Sequence, residues 1–182
     1  SEGARRCGRE HLGALAAQAE ALARALVAWP HHLNASSRRT LAQAMARGAA
    51  EVEGGAPPQS PQGAAALVVD DDAISRITMT QVLEKAGFAV TAVSEAQAAL
   101  AAAAQRPYRL VLSDVLMEGL NGLQFAARLR LIDGCRDLPV IFVTALADFD
   151  TLFLQGDDPA ADSIAKPFLP AELATKALTR MR

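Results

Sequence analysis

The chain has 182 residues, 51% of them hydrophobic, and a formal net charge of −2. That suffices for one domain of ordinary size plus an appendage, and the charge balance argues against a nucleic-acid groove. No apolar run reaches the roughly 18 residues of a membrane span and the start carries no signal-peptide pattern, so a cytoplasmic chain with no membrane partner is expected. Cys7 and Cys135 show no metal-ligand spacing and read as free thiols. The pairs Arg5-Arg6 and Arg38-Arg39 read as solvated helix faces.

The first element is a helix. Leu12, Leu15, Ala19, Leu22, Leu26 and Trp29 recur at alternating spacings of three and four, an a/d seam. Pro30 stops it, and His31, His32, Leu33 and Asn34 form a turn, with Asn34, Ser36 or Ser37 available to cap the next helix. Leu41, Met45, Gly48 and Val52 make a second stripe that Gly54-Gly55 ends. Two helices share one seam and a poor core. They must either dock on the rest of the chain or pair with a second copy as a four-helix bundle. The regular seam of Leu12, Leu15, Leu22, Leu26 and Trp29 favours the homodimer. The stretch "EGGAPPQSPQG", residues 53–63, has almost nothing to bury. The chain thus divides into a helical hairpin (1–53), a linker (54–63) and a larger unit (64–182).

The larger unit alternates strands and helices. "AALVVD" is a buried strand, followed by a helix over 73–86 with Ile74, Ile77, Val82 and Leu83 as its apolar positions, closed by Gly87. "FAVTAV" is a strand and "SEAQAALAAAAQ" a helix capped by Ser94; "YRLVLSD" is the third strand, followed by a loop and a helix through Ile132. "LPVIFVT" and the short "DSIAKPF" are the last strands, and "PAELATKALTRM" is a helix with Pro170 near its first position. Five strands with crossover helices predict a parallel α/β sheet covered on both faces. Right-handed crossovers put every strand's carboxyl end on one edge.

That edge collects chemistry. Asp70 and Asp71 end the first strand, Asp114 the third, Thr144 the fourth and Lys166 the fifth. Ligands of open α/β sheets bind there. Crowded carboxylates repel, and a hard divalent ion with oxygen ligands, such as Mg²⁺, removes the conflict. A carboxylate can attack phosphorus and form an acyl phosphate. The incoming oxygens then require positive charge and donors, which Mg²⁺, Lys166 and the Thr144 hydroxyl would supply. Asp114, central in the sheet, is the best-placed nucleophile.

"LVVDD", then "LVLSD" 43 residues on, "VTA" 30 further and "KPF" 22 after Thr144 together resemble the response-regulator receiver domain of bacterial two-component signalling, as does the loop "DVLMEGLNG". The resemblance covers residues 64–182 and not 1–63. It implies a flavodoxin-like sheet of order 2-1-3-4-5. It implies Asp114 as phosphoacceptor, with Asp70, Asp71 (the more direct), Asp114 and the Leu116 backbone carbonyl as Mg²⁺ ligands. Thr144 and Lys166 would stabilise the phosphoryl group and act in the switch, with Pro167 following a cis bond. A histidine kinase or phosphotransfer protein is the implied donor. Asp72 is left for a helix N-terminus. The chain departs from the family pattern in three places. Ser163 stands where many members carry a switch aromatic; Glu118 and Asn121 replace a common Pro and Asp; and "LQGDDPAAD" is a poor helix former because of Gly156 and Pro159.

Rival readings fare worse. A haloacid-dehalogenase-type phosphatase needs a second acid two residues past its nucleophile, where this chain has Leu116. A nucleotide fold needs a glycine-rich loop after the first strand, and "VVDDDAIS" has none. His11, in "REHLGAL", faintly echoes a phosphotransfer histidine but reads as a solvated surface residue. The expected activity is self-phosphorylation and autodephosphorylation rather than conventional enzymology. No output domain is written after the last helix, so output is expected through residues 1–63 or through partner contacts, unless the chain is a fragment of a longer protein. The alternative is a receiver module of a larger hybrid kinase or phosphorelay, acting as a phosphate relay or sink, with the N-terminal helices a kinase-like dimerisation remnant.

Overall fold

The structure is a computed structural model and describes residues 2–52, 61–146 and 160–181. Helices α1 (Glu2–Ala28) and α2 (Ala35–Val52) precede β1 (Ala65–Val69), α3 (Ala73–Lys85), β2 (Ala89–Val93), α4 (Ala96–Gln105), β3 (Leu110–Asp114), α5 (Gly122–Leu129), β4 (Val140–Thr144), β5 (Ala161–Ala165) and α6 (Pro170–Arg180). The five strands are parallel, in the order β2-β1-β3-β4-β5. This is the flavodoxin-like arrangement expected from the sequence.

Alternation along the strands builds two cores. Ala66, Val68, Leu110, Leu112, Ile141, Val143 and Ile164 face one side, where Met79 and Leu83 of α3 and Leu173, Ala177 and Leu178 of α6 meet them. Leu67, Val69, Val111, Val140 and Phe142 face the other, against Ala99 and Ala103 of α4 and Phe125 and Leu129 of α5. In α3 the expected apolar face is half right. Leu83 is buried, but Ile74 (76% exposed) and Ile77 point to solvent and Met79 takes the inner position. Burial follows the helix's rotation against the sheet, which residue type alone does not fix. The cap of α4 is Glu95, not Ser94, and without a side-chain bond. The α5 helix stops at Leu129, short of Ile132.

The hairpin is docked on this same chain. Leu15 and Ala44 belong to the first core, and Leu22 and Leu26 are also buried. A Cβ on Gly48, late in α2, would lie 3.9 Å from Leu12 Cδ1, early in α1, so the two helices run antiparallel. Asn34 caps α2, accepting from Ser37 N at 2.9 Å. The predicted dimer seam is therefore used internally: Leu15, Leu22 and Leu26 are covered within one chain, while Trp29 falls outside the seam at 58% exposure. The second stripe is displaced as well. Met45 is exposed, and among the described side chains of α2 the buried ones are Ser36, Ser37, Thr40 and Ala44. Val52, Gly54-Gly55 and Cys7 lie outside the residues whose side chains are described, as do Arg5-Arg6 and most of "LQGDDPAAD".

Docking of α1 and α2 on α6 changes the character of that helix. Glu172, Thr175, Lys176 and Thr179 form the polar stripe that would face water on a surface helix. Here residues 172–179 are all buried. Lys176 Nζ donates to Asp162 Oδ1 at 2.9 Å and to the Ser163 carbonyl at 2.7 Å. Arg180 Nε donates to Asp162 Oδ2 at 2.8 Å. With Lys176 and Arg180 beside it, the Asp162 carboxyl falls to about 2 although its own burial opposes the shift. Arg39, read from sequence as a solvated face, reaches into this cluster and donates Nε to Asp162 Oδ1 at 3.2 Å; Arg38 is exposed. His11 is fully buried, so it is neither the solvated histidine expected nor an accessible phosphotransfer residue.

Candidate functional site

The chain runs from β1 outward to β2 and then returns across to β3. The carboxyl ends of β1 and β3 thus flank the topological switch point, where ligand crevices open. Asp70 directly follows β1 and Asp114 is the last residue of β3; both are buried, while the adjacent Asp71 is exposed. One carboxylate oxygen from each of Asp70, Asp71 and Asp114 lies within 4.8 Å of the others. At the end of β5, Lys166 reaches back across the sheet. Its Nζ donates to Asp70 Oδ2 at 2.9 Å and to Asp114 Oδ2 at 2.6 Å.

Three further carboxylate oxygens are oriented by backbone donors. Asp72 N donates to Asp70 Oδ1 at 2.9 Å, Leu116 N to Asp114 Oδ1 at 3.0 Å, and Glu118 N to Asp71 Oδ2 at 3.2 Å. Burial pushes the Asp70 carboxyl up, with the Lys166 ammonium pulling the other way. Burial also works against the charge of Lys166, but its hydrogen bonds to Asp114 and Asp70 prevail and raise it. One ammonium thus faces three carboxylates. Two of the three are shielded from water, and the excess negative charge suits a small hard dication with oxygen ligands.

Thr144 ends β4 on the adjacent strand and is buried. Its Oγ1 accepts from Leu146 N at 3.2 Å, and its carbonyl accepts from Lys166 N at 2.7 Å. Thr144 is thus joined to Lys166 through backbone. The Lys166–Pro167 peptide is cis. Leu116, whose backbone N–H meets Asp114, is 56% exposed. Asp72 caps α3 by accepting from Ser75 N at 2.7 Å, the helix-terminal place expected for it. Asn121 and Gln124 form a capping box at the start of α5.

Two residues that the motifs did not single out shape the site. Arg76 Nη1 donates to the Asp70 carbonyl at 2.7 Å and the Asp71 carbonyl at 3.3 Å, holding the turn that carries the acidic pair. At Gly122 a Cβ would fall 2.1 Å from the Asp114 carbonyl oxygen. Only glycine lets α5 approach so near the end of β3. The "NG" pair in the loop was the available signal for Gly122; nothing in the sequence marks a guanidinium aimed at backbone carbonyls.

Residues 66–178 match the family described as "Response regulator receiver domain". The chain is 35% identical over 116 residues to the DNA-binding response regulator MtrA of Mycobacterium tuberculosis H37Rv, covering 64% of this chain and 50% of that one. It thus spans about half the length of such curated relatives. Among solved structures, the chemotaxis protein CheY4 of Vibrio cholerae superposes with a TM-score of 0.59 at 27% identity, covering 66% of this chain and 99% of that one. The receiver domain of the sensor histidine kinase PA1611 from Pseudomonas aeruginosa PAO1, which has a magnesium ion coordinated in its active-site cleft, gives 0.57 at 29% identity, covering 65% and 97%.

Proposed function

This chain belongs to the response regulator receiver domain family, and from that premise we propose that it accepts a phosphoryl group on Asp114 from a histidine kinase or phosphotransfer protein. The observation that supports this most strongly is the group of Asp70, Asp71 and Asp114, with oxygens within 4.8 Å and Lys166 spanning two of them. An Asp114 carboxylate oxygen attacks phosphorus. The bond to the donor's leaving group breaks, and an acyl phosphate forms. Lys166, already at the carboxylate, takes up a developing phosphoryl oxygen, and the Thr144 hydroxyl donates to another. Mg²⁺, when bound, neutralises phosphoryl charge. Asp70, Asp71, Asp114 and the Leu116 carbonyl would hold it, a reading in keeping with the magnesium site of PA1611.

Output in this reading is a change in protein contacts, within the cytoplasm and without nucleic acid bound to this chain, whose formal net charge is −2. No helix among the described residues is long and apolar enough to cross a membrane. Residues 1–53 then act as a docked cap, and 54–63 as its tether. A homodimer through these helices would have to use outward residues such as Val27, Trp29 and Met45, because Leu15, Leu22 and Leu26 are already covered. The likeness to a receiver from a sensor kinase supports a second reading, a relay module of a larger hybrid kinase. In that case the phosphoryl group should pass onward to a phosphotransfer histidine faster than it hydrolyses. The test of the main reading is intact-mass measurement after acetyl phosphate treatment. One phosphoryl group should be gained with Mg²⁺ and none with a chelator; equal labelling in both would remove the metal from the account.

A further inference from the structure

β5 is an edge strand of the sheet, and an edge strand presents unpaired backbone groups that something must hold. Helix α2 does part of this. Ser36 Oγ donates to Glu172 Oε1 at 2.6 Å and to the Ser163 carbonyl at 3.3 Å. Arg39 Nη2 donates to Ser163 Oγ at 3.0 Å. Asp162 is already neutralised by Lys176 and Arg180 from α6, so the grip of Arg39 adds more than charge balance. Ser163 lies three residues before Lys166, about 10 Å of strand. Between them Ala165 pairs with Thr144. The same strand is thus gripped by the hairpin at its middle and enters the acidic site at its end.

We propose that Arg39 is a positioning residue for the phosphoacceptor site: by anchoring α2 to Ser163 it fixes β5, and so the point from which Lys166 reaches Asp114. This rests on the phosphoacceptor reading of Asp114. Lys166 is a long side chain whose aim depends on its backbone. A strand held in place leaves less reorganisation when a phosphoryl group arrives. Coupling of this kind is reciprocal. Whatever docking of α2 contributes to phosphoryl binding, phosphoryl binding returns to docking of α2.

The experiment uses the full chain with Mg²⁺ and beryllofluoride, a phosphoryl mimic, read by titration calorimetry and by hydrogen exchange over residues 35–52. Beryllofluoride should slow exchange in α2 of the wild type. Arg39→Ala should bind it about fivefold more weakly and lose that slowing. Ser36→Ala should shift both readouts the same way by less, and it carries the test alone if Arg39→Ala does not fold. Arg39→Lys, which keeps the charge without the planar fork, should recover only part of the affinity. Full recovery in Arg39→Lys overturns the proposal, as does wild-type affinity in the alanine variants with α2 exchange unresponsive. If the wild type itself fails to bind beryllofluoride, the phosphoacceptor reading falls, and this inference with it.

Discussion

Two clusters in this molecule have nearly the same ingredients and opposite characters. At the ends of β1 and β3, Asp70, Asp71 and Asp114 face Lys166. Behind β5, Asp162 and Glu172 are enclosed with Lys176, Arg180 and Arg39. In the second cluster cations match or exceed carboxylates and the hairpin seals it. In the first, carboxylates exceed the cation and one side remains open, with Asp71 exposed. A neutralised, sealed cluster holds a fold together, whereas an under-neutralised, open one is built for a ligand.

The contrast is broken most forcefully at Asp162. Asp162→Ala leaves Lys176 buried without its carboxylate and should cost about 3–5 kcal/mol, read by denaturant unfolding; a loss under 1 kcal/mol would mean that water already reaches the cluster. The opposite holds at Asp71. Asp71→Ala relieves repulsion and should leave the metal-free protein as stable or more so, while weakening Mg²⁺ binding by about tenfold or more. Unchanged Mg²⁺ affinity in a titration would remove Asp71 from the ligand set.

How legible each cluster was in the sequence follows from the same difference. Asp70, Asp71, Asp114, Thr144 and Lys166 each sit at a strand's end, so strand patterning and sheet topology suffice to bring them to one edge. The second cluster depends on the docking of α1 and α2 against α6, which local sequence does not encode. Leu15, Leu22 and Leu26 announce a buried seam equally well for a second chain or for α6. Arg39 and His11 resemble surface residues until the packing is known, and Ile74 and Ile77 resemble core residues on a helix whose rotation turns them outward.

The pH dependence separates the carboxylates within the sealed cluster. Asp162, held at about 2 against an ordinary value of 3.8, contributes stability that is complete above the ordinary value and is lost as pH falls toward 2. Glu172 runs the other way. Burial raises it above 4.5, so its contribution is present below 4.5 and declines as pH rises through the folded-state value. Glu172→Gln removes that decline and keeps an acceptor for Ser36. The melting temperature of the variant should therefore gain on the wild type from pH 4.5 upward. A difference that stays flat with pH would mean that Glu172 does not titrate differently on folding.

The smallest expected effect sharpens the open cluster. Leu116 places an apolar side chain beside Asp114, where a polar one would help orient an attacking water. Leu116→Asn should shorten the life of the acyl phosphate, followed by loss of label after donor removal. Equal decay in the two proteins would show that this side chain does not govern water access.

The central claim, that Asp114 is the phosphoacceptor, is tested most directly by intact-mass measurement of the full chain and its Asp114→Asn variant after acetyl phosphate with Mg²⁺. The wild type should gain one phosphoryl group and the variant none, because an amide cannot take the place of the attacking carboxylate. A variant labelled to the same extent as the wild type would contradict the account and move the chemistry to another residue.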